Sequence, residues 1–200
     1  MWQAFYQAFG TPTDTPDVRL MIKSRPDGND MLALIAKADK PDPRITILIA
    51  DMDMRDFYRS GDCFVIPSRS EGWGMPMREA ACAGLPVITQ RYSGMDDGHT
   101  DDWALVVEGG RLESIPAHFD HIAGDWMKAD VVKLAAMMRR CYGMPSVAAQ
   151  WGTAGAQWIR ANQTWAHSAE RLIKLIGEHH QRPKSKALGL AHDPVQAACA

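Results

Sequence analysis

No apolar run in this chain approaches the roughly 18 residues of a membrane-spanning helix. The N-terminal MWQAFYQAFG has neither the charged start nor the cleavage site of a secretory signal. Charge of one sign is equally scarce: the formal net charge is −2, so the chain offers no electrostatic footprint for nucleic acid and no such partner is expected. The four cysteines, Cys63, Cys82, Cys141 and Cys199, lie 19, 59 and 58 positions apart, which fits neither a zinc site nor a small disulfide framework. Cys63 and Cys82 fall in apolar runs and read as small buried hydrophobes, and a reducing, cytoplasmic setting is expected. A carboxylate metal motif is missing too. His118 and His121 flank Asp120, and four aspartates surround His99, but both groups read as solvated loops, so no metal and no other cofactor is expected.

What is present is an ordinary globular composition. Hydrophobic residues make up 46% and charged residues 23% of 200 residues, enough for one good-sized core. No internal repeat is visible. Trp2, Phe5, Tyr6 and Phe9 recur at helical spacing and predict a helix that ends at Gly10. Strands are predicted at 18–23 (VRLMIK), 45–50 (ITILIA), 63–67 (CFVIP), 86–90 (PVITQ) and 104–107 (ALVV). Between them lie helices at 30–37 and 53–60, the first closed by the PDP of 41–43 and the second by Gly61. Near-continuous apolar strands alternating with helices imply an α/β chain, a Rossmann-like doubly wound parallel sheet covered on both faces.

Beyond Glu108 the pattern changes. Residues 109–128 read as irregular, and 129–142, 146–163 and 165–177 as three helices. Met137 and Met138, and the seven-spaced Trp151, Trp158 and Trp165, read as packing anchors rather than a base-stacking platform. The domain organisation expected is one domain over 1–177, followed by a disordered tail over 178–200.

The richest stretch is 62–94, DCFVIPSRSEGWGMPMREAACAGLPVITQRYSG. It joins a buried strand, a glycine-bracketed loop, a short helix and a second buried strand. Ligands of open α/β sheets bind beyond the carboxyl ends of the strands, where the loop SRSEGWGMP lies. Gly72 and Gly74 let backbone approach a ligand, and Pro76 suits a first helical turn. The free N–H groups and dipole of that helix start favour an anion such as a diphosphate. Glu71 and Glu79, separated by seven residues, are acceptors for the hydroxyls of a sugar and a ribose. Together these describe a nucleotide sugar. The plain alternative is a surface loop with a solvated Glu79, because glutamates also gather at helix starts for dipole reasons. Spacing alone leaves both open.

The run PSRSEGWGMPMREAACAGLPVITQRYSG resembles the donor-binding signature of retaining GT-B glycosyltransferases of the glycosyl transferases group 1 type: P-S, then E-G-[FW]-G-x-P, then E-A-x-A-x-G-x-P-V-[IV], then S-G after the next strand. The likeness extends over about 18–176. It implies that Glu79 holds the nucleotide ribose. It also implies that Glu71, with the backbone of Gly72, Trp73, Gly74 and Met75, holds the donor sugar and diphosphate. Transfer is then to an acceptor with retention, by front-face displacement in which the departing diphosphate helps deprotonate the acceptor. Glu71 is the catalytic candidate, as a positioning and electrostatic group.

The chain departs from that pattern at its start. The family's C-terminal half opens with a strand bearing an Arg, followed by a Lys, that neutralise the diphosphate, and this sequence begins at the helix after it. Lys23, at the end of VRLMIK, is the candidate for a cationic role here, with Arg25 and Arg69 also near sheet ends. Without the first strand of a 3-2-1-4-5-6 sheet, VRLMIK and CFVIP should flank a gap that water, a rearranged sheet or another chain must fill. The resemblance therefore implies an N-terminally truncated or split donor-binding half, inactive or incomplete alone. A second reading is a non-catalytic nucleotide-sugar-binding module, or a subunit completed by a partner chain carrying the acceptor domain. A sugar-nucleotide epimerase or phosphorylase shares the architecture, but the EGWG loop argues against both.

Overall fold

The computed structural model describes residues 1–24, 42–49, 51–97, 99–116 and 124–181. The helix expected at 30–37, Arg25, the His118–His121 loop and residues 182–200 lie outside the described residues. Two compact units divide the chain, Met1–Ala161 and Asn162–Ala200.

In the first unit, α1 (Trp2–Phe9) precedes the parallel pair β1 (Leu20–Lys23) and β2 (Ile45–Leu48). Then come α2 (Met54–Arg59), β3 (Phe64–Ile66), α3 (Met75–Cys82), β4 (Val87–Gln90) and β5 (Leu105–Val107). β3, β4 and β5 form a second parallel sheet in that order. In a 3-2-1-4-5-6 sheet these two groups are strands 3-2 and strands 4-5-6. The expected break therefore falls between β1 and β3, which no ladder joins among the described residues. Burial follows the break: all four residues of β4 are buried, while those of β1 and β3 are half-buried.

β4 shows why the sheet is covered on both faces. Ile88 enters one apolar cluster with Phe5, Phe9, Val107, Leu134 and Met138, and its neighbour Val87 enters another with Tyr58, Met77, Met95, Trp103 and Ile159. Alternation along one strand thus feeds two cores. α1 buries Ala4, Phe5 and Phe9 in the first. Its carboxyl end is closed by Arg44, whose guanidinium donates to the carbonyls of Phe9 at 3.2 Å and Gly10 at 2.7 Å and pairs with Asp42 at 2.8 Å. A cation at those last carbonyls satisfies orphan acceptors and complements the dipole. Asp42 is held below the usual carboxylate range, chiefly by its hydrogen bonds from Arg44.

Several expectations are corrected. Residues 109–128 are not wholly irregular: β6 (Arg111–Ser114) and β7 (Asp125–Lys128) form an antiparallel pair, tied across by Glu113 to Lys128 at 3.2 Å. β6 is mostly exposed, so it lacks the apolar run that marks a strand in sequence. Gly61 does not close α2. That helix ends on Ser60 in the right-handed region, whose hydroxyl donates to the Phe57 carbonyl at 2.6 Å. Cys63 and Cys82 are free and half-buried rather than buried.

α4 (Val131–Gly143) starts at Asp130, whose carboxylate accepts from the Val132 and Lys133 amides, and α5 (Pro145–Asn162) follows. Gly152 and Gly155 let α5 approach backbone, since a Cβ at Gly152 would lie 2.0 Å from the Gly84 carbonyl oxygen. Trp151 packs on the first core, and Trp158 packs on the second beside Trp103, ring centroids 6.3 Å apart. The second unit contains α6 (Trp165–Gln181). Trp165, expected to continue the stripe of Trp151 and Trp158, falls in this second unit, where the break before it starts a new helix. No helix among the described residues is long and apolar enough to cross a membrane.

Candidate functional site

The loop after β3 reaches α3 through Gly74, which caps the helix in the left-handed region at φ 70°, with Pro76 in the first turn. That backbone suits glycine, and a Cβ at Gly72 would meet nothing within 4 Å. From the other side the turn after β4 presses on the loop. The amide of Gly94 donates to the Glu71 carbonyl at 2.9 Å, and the Ser93 hydroxyl donates to the same carbonyl at 2.5 Å. A Cβ at Gly94 would lie 2.1 Å from the Gly72 carbonyl oxygen. The S-G pair after β4 is therefore a clamp on the Glu71–Gly72 backbone, which requires glycine at 94.

Arg78, one residue before Glu79 on α3, fixes the same loop from beneath. Its side chain is 5% exposed and pairs with Asp97 at 2.8 Å. It donates to the carbonyls of Trp73 and Gly94 and lies 3.8 Å from the centroid of the Trp73 ring. Burial pulls its pKa below the usual arginine value, and Asp97 opposes that pull. Trp73 and Met75 remain exposed at the mouth of the loop.

Glu79 is exposed yet held. Its Oε2 accepts from the Tyr58 hydroxyl at 2.8 Å, and Tyr58 is itself buried against Phe64 with ring centroids 5.6 Å apart. Burial, and then Glu79, push the phenol well above its usual range. The Glu71 carboxylate is half-buried and has no hydrogen-bond or ion partner among the described residues. The structure thus brings Glu71, Gly72, Trp73, Gly74, Met75 and Glu79 around one helix start. It does not add Lys23, whose ammonium donates to the Ser24 carbonyl at 2.9 Å at the end of β1, in the other sheet.

Residues that sequence reading missed lie around the same loop. Gln90, buried at the end of β4, donates to the carbonyls of Ser68 and Met127. The Met127 amide donates to the Arg69 carbonyl at 3.0 Å, and the Tyr92 hydroxyl to the Asp125 carbonyl at 3.0 Å. The β6–β7 pair is thereby fastened to the loop. Arg91 braces the exit of β4 by pairing with Asp96, Asp101 and Glu108. Among the described residues, no three histidine, cysteine or carboxylate side chains gather as a metal-binding group.

The family model for glycosyl transferases group 1 matches residues 3–129, which include the whole of this site. The chain belongs to that family. Among curated relatives, the D-inositol 3-phosphate glycosyltransferase of Rhodococcus jostii is 32% identical over 125 residues, covering 50% of this chain and 28% of that protein. The protein of the same name from Mycobacterium sp. (strain KMS) is 31% identical over 113 residues, 46% of this chain and 26% of its own. The matched stretch is about a quarter of the length of such relatives. Solved glycosyltransferases share the fold. The C-terminal domain of a glycosyl transferase group 1 family protein from Francisella tularensis superposes with a TM-score of 0.60 at 18% identity, over 82% of this chain and 80% of that one. A glycosyltransferase from Rickettsia africae gives 0.66 at 15% identity, over 92% and 46%. The fold is that of a GT-B C-terminal half.

Proposed function

We propose that this chain binds a nucleotide sugar and is the donor half of a retaining glycosyltransferase. One observation carries the reading: the clamp from Ser93 and Gly94 fixes the Glu71 backbone, and Tyr58 holds the Glu79 carboxylate, at a helix start that has no side-chain cap among the described residues and so can offer its amides to a diphosphate. Glu79, with Oε2 taken by Tyr58, presents Oε1 to a ribose hydroxyl. Glu71, without a side-chain partner among the described residues, accepts from donor-sugar hydroxyls. The amides of Gly72 to Met75 face the diphosphate.

The likeness to retaining enzymes supplies the chemistry proposed for that placement. The bond between the anomeric carbon and the diphosphate oxygen breaks, the acceptor oxygen bonds the anomeric carbon on the same face, and the acceptor proton passes to the departing diphosphate. Glu71 orients the sugar and stabilises positive charge that develops at the anomeric carbon.

The test is calorimetry of the chain with UDP-glucose and GDP-mannose, repeated with Glu79→Ala. Binding lost in the variant supports the donor site, and no binding of either donor by the wild type refutes it. NMR of the anomeric proton in any product reads retention or inversion directly.

A second reading is a nucleotide-sugar-binding subunit that becomes active only with a partner supplying the acceptor side. Its support is that Lys23 ends a strand of the other sheet and that no ladder joins β1 to β3 among the described residues. Donor binding without transfer, restored on adding the acceptor-side chain, distinguishes it.

A further inference from the structure

We propose that Arg69 is the cation that neutralises the donor diphosphate, with its guanidinium held ready on the face of Trp126. This rests on the donor-site reading above and adds the positive side that Lys23 does not bring to the loop.

Position comes first. Arg69 lies two residues before Glu71, on the loop that leaves the carboxyl end of β3. That loop is tethered at this point: the Arg69 carbonyl accepts from the Met127 amide at 3.0 Å, and the neighbouring Ser68 carbonyl accepts from buried Gln90. The backbone that carries the side chain is therefore fixed from β4 and from β7 together.

Orientation comes second. The guanidinium carbon lies 4.4 Å from the centroid of the Trp126 ring. A guanidinium that lies over a ring makes that contact without a carboxylate partner, so its N–H donors can serve phosphate oxygens in a fork. A guanidinium already resting on a ring also has less side-chain freedom to lose when it binds.

Charge comes third. Of the cations placed after β1, β3 and β4, Lys23 bonds the Ser24 carbonyl, and Arg91 is spent on Asp96, Asp101 and Glu108. Arg78, beneath the loop, is spent on Asp97 and two carbonyls. Arg69 is exposed and has no carboxylate partner among the described residues. The β6–β7 pair, which presents Trp126, then has a purpose at the site: it supplies the platform that aims this arginine.

The experiment measures calorimetric binding of UDP and GDP, and of uridine and guanosine, to wild type, Arg69→Gln, Arg69→Lys, Trp126→Leu and Glu79→Ala. Arg69→Gln is expected to weaken diphosphate binding about tenfold, the scale of one charge-assisted contact, with nucleoside binding and melting temperature unchanged. Arg69→Lys keeps part of the affinity, and Trp126→Leu falls between. The affinity of wild type should drop more steeply with added salt than that of Arg69→Gln. The inference is overturned if Arg69→Gln binds the diphosphates as wild type does, or loses nucleoside affinity in equal measure. In the first case Glu79-dependent binding by wild type still leaves the donor site standing. Failure of wild type to bind either diphosphate removes both.

Discussion

The Tyr58 hydroxyl donates to Glu79 Oε2 across 2.8 Å, from a ring that is buried to a carboxylate that is not. A rigid donor with two rotatable bonds thus sets the direction of an otherwise mobile surface glutamate. The bond links α2 to α3, so the segment before β3 takes part in shaping the site after it.

Tyr58→Phe should keep the packing and remove only that bond. Donor affinity is expected to fall roughly three- to tenfold, since one hydrogen bond is worth about 0.5–1.5 kcal/mol. Calorimetry with UDP and GDP measures the change, and a melting temperature near that of wild type shows that the ring still packs.

Gly94→Ala puts a Cβ 2.1 Å from the Gly72 carbonyl oxygen, a backbone atom that no rotamer can move aside. The turn or the loop must shift, at a cost of about 1–3 kcal/mol. A lower melting temperature and loss of most nucleotide affinity are expected. Gly72→Ala, where a Cβ meets nothing within 4 Å, should change stability much less.

Arg78→Met leaves Asp97 charged with its buried partner gone, a loss of about 3–5 kcal/mol in comparable cases. Asp97→Asn combined with Arg78→Met should recover part of it. A double-mutant cycle by urea denaturation gives the coupling, and additive losses would contradict the pairing seen here.

Acid stability should carry the mark of Asp42. Its folded pKa is depressed by Arg44, so near and below about pH 4 the unfolded chain binds more protons than the folded one. The pair therefore contributes fully above the unfolded pKa, and its contribution is lost as pH falls through the folded pKa. Unfolding free energies measured from pH 6 down to pH 2 should fall less steeply for Asp42→Asn than for wild type.

Much of the architecture was readable from the sequence because it rests on local pattern. VRLMIK, ITILIA, CFVIP, PVITQ and ALVV are apolar runs long enough to be buried only as strands of a covered parallel sheet, and each appears as a strand. The gap between β1 and β3 was expected from the family resemblance, which supplied the strand order. Gly72, Gly74 and Pro76 were visible because helix starts have their own chemistry within a few residues, whereas spacing alone left Glu71 and Glu79 open and only the likeness to the donor-binding signature singled them out.

What sequence could not supply were contacts between residues far apart in the chain. Tyr58 meets Glu79 21 positions later, Ser93 meets Glu71 22 positions earlier, and Gln90 reaches Met127 37 positions on. Lys23 and Arg69 look alike in sequence, as cations near sheet ends. One lies in the two-stranded sheet on the far side of the break, and the other on a loop fastened to the candidate site. Local pattern is set by the period of the backbone and by burial, so it is written in neighbouring residues. Which side chains then meet is set by how strands pair and how helices cross the sheet, and that geometry assigned Tyr58, Ser93, Gly94 and Arg78 their places beside the glutamates.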